Sequence, residues 1–227
     1  KAFEEDVGVT SFGLANVKPE GAGIQYDTER QAFITRYQHV VYALGFVVTR
    51  EAYDDDQYDI IGQRKAQGLA FSMRQTKEVV AANVYNRAFT AGYTGGDGSV
   101  LLSTSHPNLK GGTWSNRLAT DADLSEASLE DMCIQIGQAT NDRGLQIAIR
   151  PTKLIIPINL MFDAKRILKS DYQSGTANND INALREMNAI PEGVVMSVYL
   201  TAPNAWFVRT DCGGEKKNGM IFQNRMS

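Results

Sequence analysis

Histidine is the side chain best suited to proton transfer near neutral pH, and this chain has only two, His39 and His106. His106 follows Ser105 in the run STSHPN. Adjacent loop residues rarely face each other, and serine hydrolases need a nucleophile, a base and an orienting acid that meet in space. His39 lies within a predicted strand, where packing explains it. We therefore predict no catalytic residue and expect His106 to organise its own loop.

Metal and cofactor motifs are also missing from the sequence. No two His or Cys residues have the spacing of a metal site. The glycine-rich run at 95–98 lacks the Lys-Ser/Thr pair of a phosphate-binding loop and follows a predicted helix. The acidic triplet 54–56 could bind a divalent cation, but acidic residues at a helix N-terminus explain it better. We predict no metal, no cofactor and no enzymatic activity.

The composition is that of a globular protein. The chain has 227 residues, of which 43% are hydrophobic and 22% are charged, so collagen, coiled-coil rods and disorder are excluded. A net charge of −3 gives no basic excess for a freestanding nucleic-acid binder. Two cysteines are too few for a disulfide scaffold. No apolar run approaches the roughly 18 residues of a membrane span, so no membrane partner is predicted.

The charges are unevenly distributed along the chain. Residues 1–56 have a net charge of −5, and residues 57–227 have a net charge of +2. This difference is either sampling noise or the mark of an acidic front segment that lies on a slightly basic body.

The N-terminal quarter is rich in strand-forming residues. Residues 24–50 predict an extended hairpin with its turn at Tyr26–Gln31. If the second arm, Ala32–Arg50, were fully extended, it would span about 60 Å. A compact domain of this length would be only about 45 Å across. The arm must therefore bend, bulge or project.

A long helix is predicted next. Apolar residues recur at a spacing near 3.5 from Tyr58 to Ala88, and the acidic triplet 54–56 marks the start. These features predict one helix of about 35 residues and about 50 Å. The following residues 99–122 read as a long loop, and such loops are usually functional or interfacial.

The C-terminal half alternates helices and strands. Asp123 or Ser125 caps a predicted helix that ends near Thr140, and Pro157 opens another that ends near Leu168. Four strands are predicted in the same half, at 145–149, 153–156, 193–200 and 205–210. The predicted fold class is therefore α+β.

Five blocks of the sequence, in collinear order, resemble the major capsid proteins of tailed bacteriophages with the Hong Kong 97 type fold. They are EGAGIQYDTERQAFITRYQHVVYALGFVVTREA, AFSMRQTKEVVAANVYNRAF, GGDGSVLLSTSHPNLKGGTWSNRLATDADLSEASLEDMCIQI, IAIRPTKLIIPINLMFDAKRILKSDYQSGTANNDINAL and GVVMSVYLTAPNAWFVRTDC. The resemblance covers nearly the whole chain, although none of the five motifs is highly specific by itself.

The resemblance implies a fold with an extended β-hairpin loop, a long spine helix and a mixed α/β axial domain. It assigns residues 1–50 to the extended loop and its flanking strands, and residues 51–119 to a peripheral domain with the spine helix. Residues 120–210 become the axial domain, and residues 211–227 a segment that returns to the peripheral domain. The family also has an N-terminal arm and a final strand with no counterpart among these residues, so a longer natural product is expected.

The implied function is that of a structural coat subunit. Copies of the chain would associate as hexamers and pentamers into an icosahedral head around double-stranded DNA, which the inner face would contact non-specifically. Scaffold, portal and decoration proteins are the further partners implied. The expected location is the virion capsid, assembled in the cytoplasm of the bacterial host. Some relatives join subunits through a Lys–Asn bond, but no matched motif supports this for Lys18.

The extended arm carries alternating aromatic and cationic side chains, which are favoured in protein interfaces. We therefore predict that Tyr26, Arg30, Phe33, Arg36 and Tyr37 contact an adjacent subunit.

Two other functions remain open from the sequence. The same fold could form an encapsulin-type compartment that encloses a cargo enzyme. A small hydrolase or ligand-binding domain could instead use the 99–122 loop and His106.

Overall fold

A computed structural model describes residues 3–55, 58–173, 180–211, 220 and 222, without the side chains of residues 58 and 59. Helices and strands are mixed along the chain, as the α+β prediction requires. In chain order the elements are β1 (Phe3–Val9), β2 (Gln31–Gln38), α1 (Arg50–Asp54), α2 (Tyr58–Asn86), β3 (His106–Pro107), β4 (Thr113–Trp114), α3 (Glu126–Gly137), β5 (Pro151–Pro157), a 3-10 turn (Ile158–Leu160), α4 (Met161–Lys169), α5 (Ala183–Glu186), β6 (Val194–Ser197) and β7 (Phe207–Thr210).

The N-terminal hairpin pairs β1 with β2 in antiparallel register, from Phe3 opposite Gln38 to Val9 opposite Gln31. The predicted turn at Tyr26–Gln31 is wrong, because the loop between the strands runs from Thr10 to Arg30. The arm Ala32–Arg50, expected to bend, bulge or project, is not one continuous strand, because β2 ends at Gln38. Within the described residues, β1 pairs with β2 from Phe3 to Val9, and β2 covers only Gln31–Gln38.

The predicted 35-residue helix is two helices. Thr49 caps α1 by accepting a hydrogen bond from the Ala52 N–H at 3.4 Å, so the first helix begins before the acidic triplet. Asp54 is the last residue of α1 and Asp55 is its C-cap, while Asp56 lies outside the described residues. α2 has 29 residues and is about 43 Å long.

The main core lies between a three-stranded sheet and the helices of the C-terminal half. The sheet order is β6-β5-β7, with β6 parallel and β7 antiparallel to β5. Leu129 of α3, Leu154 and Ile156 of β5, and Ile167 of α4 are buried in one cluster. Ser125 caps α3 with a reciprocal pair of hydrogen bonds to Ser128. Pro157 precedes the 3-10 turn Ile158–Leu160, and α4 begins at Met161, four residues after the predicted helix start.

The opposite face of the sheet holds the end of α2. Ile155 and Phe207 are buried with Ala88, and the rings of Tyr85 and Phe207 lie 5.1 Å apart. The Asn86 amide donates to the Tyr199 carbonyl at 3.0 Å and accepts from the Thr201 N–H at 3.0 Å. The C-terminal end of α2 is therefore fixed to the sheet.

Two further predictions need correction. Residues 145–149 make only an isolated bridge between Thr140 and Gln146, because Ala148 has a φ of 45° and leaves the extended conformation. The long loop 99–122 contains the short strands β3 and β4, joined through Gly111 and Gly112 at positive φ. The predicted segment 211–227 lies outside the described residues, apart from Asp211, Met220 and Phe222.

The chain has far more surface than a compact protein of its size. It exposes 16713 Å², whereas a compact monomer of 25.0 kDa exposes about 10,200 Å². Among the described helices, none has both the length and the apolar character needed to cross a bilayer.

Candidate subunit interface

The paired strands β1 and β2 form the stem of the hairpin. The stem faces the C-terminal half of α2 across an open cleft of about 770 Å³. Successive side chains of a strand alternate between two faces, so Phe33, Thr35 and Tyr37 lie on the same face of β2. These three residues line the cleft together with Val80 and Val84 of α2. Phe33 and Tyr37 both remain exposed in this chain. Two of the predicted interface residues therefore lie on one uncovered, mainly apolar surface.

Arg36 is engaged within the hairpin. Its Nε and Nη2 atoms donate to Oε1 of Glu5 on β1 at 2.8 and 2.6 Å. Its guanidinium group also lies 4.2 Å from the centre of the Phe3 ring. Arg36 thus joins the two strands, and a partner would meet it as part of this cluster.

Arg30 and Tyr26 belong to the loop. The Thr10 N–H donates to the Arg30 carbonyl at 2.9 Å, and the Arg30 N–H donates to the Thr10 hydroxyl at 3.0 Å. These bonds close the base of the loop just beyond β1 and β2. Tyr26 lies further out and is 92% exposed. The structure brings Phe33, Arg36 and Tyr37 together on the stem and places Tyr26 apart from them.

The N-terminal two thirds of α2 form a second uncovered surface. Its first buried residue is Ala82, while Ile60, Phe71 and Val79 are exposed. From residue 60 to residue 81 the charged residues are mostly basic: Arg64, Lys65, Arg74 and Lys77, with one acid, Glu78. A helix that leaves large apolar side chains exposed along much of its length has the features of an interface element.

His106 is a buried structural residue. Its Nδ1 lies 2.6 Å from Oδ2 of Asp97, its Nε2 lies 3.2 Å from Oδ1 of Asn116, and its ring stacks on Trp114 at 4.6 Å. The Asn116 amide is oriented independently, because its Nδ2 donates to the Leu101 carbonyl and its Oδ1 accepts from the Ser103 N–H. Both ring nitrogens are therefore engaged, and the Ser105 hydroxyl lies 3.4 Å from the hydroxyl of Ser103.

The Asp97 carboxylate is stabilised in this cluster. Burial raises the pKa of Asp97, but the hydrogen bonds from His106 and from the Ser99 N–H lower it more, so the net pKa lies below the ordinary value. Within the described part of the chain, no group of three or more His, Cys, Asp or Glu side chains could hold a metal ion.

A second cavity, of about 510 Å³, lies beside the 116–123 segment. Phe89, Leu118, Met132 and Trp206 line it, and His106 is not among its lining residues. The Arg117 guanidinium lies 4.9 Å from the centre of the Phe89 ring and pairs with Asp121. His106 instead lines the 770 Å³ cleft, together with Ser99 and Asn116 of the same loop. The hydrolase alternative therefore depends on that cleft, where both ring nitrogens of His106 are already engaged.

One contact relevant to the interface has no local signal in the sequence. Arg143, in the turn after α3, pairs with Asp27 in the hairpin loop. The two residues are 116 positions apart, and the sequence pattern around Arg143 indicates only a turn.

The comparisons agree with this architecture. The family model described as phage capsid protein matches residues 32–222. The chain is similar to the solved capsid of bacteriophage JBD30, with 12% identity, a TM-score of 0.64, and coverage of 88% of this chain and 87% of that chain. It is also similar to the JBD30 capsid decorated with minor capsid protein trimers, with 15% identity, a TM-score of 0.60, and coverage of 88% and 86%.

No curated protein matches this chain. The two structural likenesses show the fold, and the family model spans most of the sequence. The chain therefore belongs to the phage capsid protein family, which confirms the resemblance found in the sequence and the predicted role as a structural major capsid protein.

Proposed function

We propose that this capsid protein is a non-enzymatic shell subunit of the Hong Kong 97 type, which self-associates into an icosahedral head around double-stranded DNA. The observation that carries the proposal is the surface excess: 16713 Å² is exposed, about 6,500 Å² more than a compact monomer of this mass exposes. This surface includes many exposed large apolar side chains, among them Val17, Tyr26 and Phe71. Exposed apolar surface is unfavourable in water, and neighbouring copies are the simplest cover.

The two uncovered surfaces carry complementary charges. Residues 3–38, which include the hairpin, have six acidic and three basic residues. Residues 60–86 of α2 have four basic residues and one acidic residue. Opposite potentials favour pairing of these surfaces between copies. We assign the hairpin as the extended loop, which lies on a neighbour through Tyr26, Arg30, Phe33, Arg36 and Tyr37, and α2 as the spine helix of the peripheral domain.

The remaining assignments follow the same model of assembly. Residues 120–210, with the β6-β5-β7 sheet, are proposed as the axial domain that meets other copies in hexamers and pentamers. Each contact is weak singly and strong when repeated in a closed shell. Scaffold and portal proteins are proposed partners, and the trimer-decorated JBD30 capsid supports a decoration protein as another. Assembly is proposed to occur in the host cytoplasm.

The test is assembly of the purified chain, followed by light scattering and negative-stain microscopy. Tyr26→Asp should reduce the yield of shells at least tenfold, because it places a charge on an exposed interface side chain without disturbing the subunit. Tyr26→Phe keeps the ring and should assemble normally. Phe33→Asp with Tyr37→Asp should also block assembly, with the far-ultraviolet circular dichroism unchanged.

Normal shells from Tyr26→Asp and from the Phe33/Tyr37 double variant would refute the interface assignment. Small oligomers of the unmodified chain under every condition would refute the shell function. Purified shells that contain protein cargo instead of nucleic acid would identify the encapsulin-type alternative.

A further inference from the structure

The base of the hairpin loop is tied to a distant part of its own chain. Arg143 pairs with Asp27 through its Nη1 atom, and its Nη2 atom donates to the Thr28 carbonyl at 2.9 Å. On the other side of the loop, the Asn141 amide donates to the Ser11 hydroxyl at 2.9 Å. One turn, residues 141–144, therefore holds both the outgoing and the returning segment of the loop.

This turn is a rigid support. The side-chain oxygen of Asn141 accepts hydrogen bonds from the backbone N–H groups of Arg143, at 3.0 Å, and of Leu145, at 2.9 Å. Gly144 has a φ of 79°, which closes the turn in a conformation that glycine adopts without strain. The Arg143 side chain is only 15% exposed. The turn directly follows α3, whose Leu129 is anchored in the main core.

Asp27 receives several hydrogen bonds at once. Its carboxylate accepts from the backbone N–H groups of Gly13 and Thr28, each at 2.8 Å, as well as from Arg143. The Gly13 hydrogen bond, followed by those from Arg143 and Thr28, lowers the pKa of Asp27 from 3.8 to about 2. A Cβ atom on Gly13 would lie 3.2 Å from Nη1 of Arg143, so the loop passes very close to the ion pair.

The part of the loop beyond these contacts stays uncovered. Val17 is 95% exposed, Tyr26 is 92% exposed and Leu14 is 78% exposed. A contact that blocked assembly would bury these apolar side chains against their own subunit. The contacts of Arg143 and Asn141 with the loop leave them exposed. The tie therefore orients the segment Leu14–Tyr26, which we call the tip, and leaves its apolar side chains facing outward.

We propose that Arg143 is a positioning residue for assembly. It sets the direction of the tip, so that the tip is already ordered when it contacts the neighbouring copy. A flexible tip would lose conformational freedom on binding, and this loss weakens association. The inference deepens the proposed function and rests on it, because it requires that the tip contacts another copy.

The experiment compares Arg143→Ala and Arg143→Lys with the unmodified chain. The critical concentration for shell formation should rise at least tenfold in Arg143→Ala. Lys keeps the charge but lacks the planar fork that reaches Asp27 and Thr28 together, so Arg143→Lys should be intermediate. Arg166→Ala is the matched control, because Arg166 also pairs with an acid, Asp163, but within the exposed surface of α4. It should assemble as the unmodified chain does.

A second measurement separates positioning from general stability. Amide hydrogen exchange in Arg143→Ala should accelerate at Gly13 and across the tip, while protection in β5 and α3 is unchanged. Asp27→Asn removes the charge pair from the loop side, where the carboxylate is solvent-accessible, and should give the same pattern together with a higher critical concentration.

The outcomes are distinct. If the unmodified chain forms shells, and Arg143→Ala and Asp27→Asn form them at the same concentration, the positioning role of Arg143 is refuted and the proposed function stands. If Arg143→Ala and Asp27→Asn lose protection from hydrogen exchange in β5 and α3, Arg143 stabilises the whole subunit and the inference is again refuted. If the unmodified chain forms no shells, the proposed function fails and the inference fails with it.

Discussion

The Asp97 carboxylate lies 2.6 Å from Nδ1 of His106, and both side chains are largely buried. Asp97 belongs to the loop that follows α2, and the preceding residue, Gly96, packs directly against β2 of the hairpin. The pair thus holds the segment on which the hairpin stem rests. This gives His106 a structural role.

Replacing His106 with alanine should destabilise the subunit. The substitution removes two hydrogen bonds and leaves the Asp97 carboxylate buried without its partner, at a cost of about 1–3 kcal/mol in the free energy of unfolding. Urea denaturation measures the change. The hydrolase alternative makes the opposite prediction, namely loss of a hydrolytic activity in His106→Ala with unchanged stability.

The close approach of Gly96 to β2 predicts the effect of an added methyl group. A Cβ atom at this position would lie 2.5 Å from the Thr35 hydroxyl and 2.6 Å from the Ile34 carbonyl. Gly96→Ala should therefore displace the stem and lower the free energy of unfolding by about 1–3 kcal/mol.

The control for Gly96→Ala is Gly68→Ala. Gly68 lies within α2 and has open space around its Cα, so alanine should stabilise the chain by up to about 1 kcal/mol through helix propensity. Thermal unfolding of both variants tests the pair. Equal melting temperatures for Gly96→Ala and the unmodified chain would contradict the packing described.

The two faces of α3 should respond differently to truncation. Leu129 is fully buried in the main core, so Leu129→Ala should cost about 2–5 kcal/mol through lost burial and the cavity left behind. Ile134 is 57% exposed on the same helix, and Ile134→Ala should cost well under half as much. Chemical denaturation gives both values, and similar losses would show that α3 is not packed as described.

The lowered pKa of Asp27 makes the loop contact sensitive to acid. A carboxylate whose pKa is lowered by folding stabilises the folded chain at pH values above its pKa in the unfolded chain, near 3.8. That contribution is lost as the pH falls through the folded-state pKa of about 2. The difference in tip protection between the unmodified chain and Asp27→Asn should therefore be full above about pH 5, decline as the pH falls, and vanish only below about pH 2. Hydrogen exchange at several pH values measures it, and a pH-independent difference would exclude the ionised contact.

Charge complementarity between copies predicts that salt weakens assembly. The screening length falls from about 10 Å at 0.1 M ionic strength to about 3 Å at 1 M. The critical concentration for shells should rise several-fold over this range, and Arg74→Gln, which removes a basic residue from the exposed part of α2, should reduce the salt dependence. Light scattering at each salt concentration provides the measurement. A salt-independent critical concentration would exclude the pairing of acidic hairpin with basic α2.

Several elements could be predicted from the sequence because their signals are local. Ser125 and its hydrogen-bonding partner Ser128 lie at the start of the helix that they cap, and Pro157 fixes its own backbone at the start of the turn before α4. The strand predicted at 153–156 lies within β5, Pro151–Pro157. The family could also be recognised from the sequence. Each of the five blocks is weak evidence by itself, but all five occur in the order found in the family.

The tertiary structure alone decided which distant segments meet. β2 pairs with β1 over Gln31–Gln38, and no property of the Ala32–Arg50 run reveals which segment is its partner. His106 meets Asp97, and Arg143 meets Asp27, because the fold brings separate loops together. Local periodicity reports which face of a segment is apolar, whereas ion pairs and strand partners depend on the path of the whole chain.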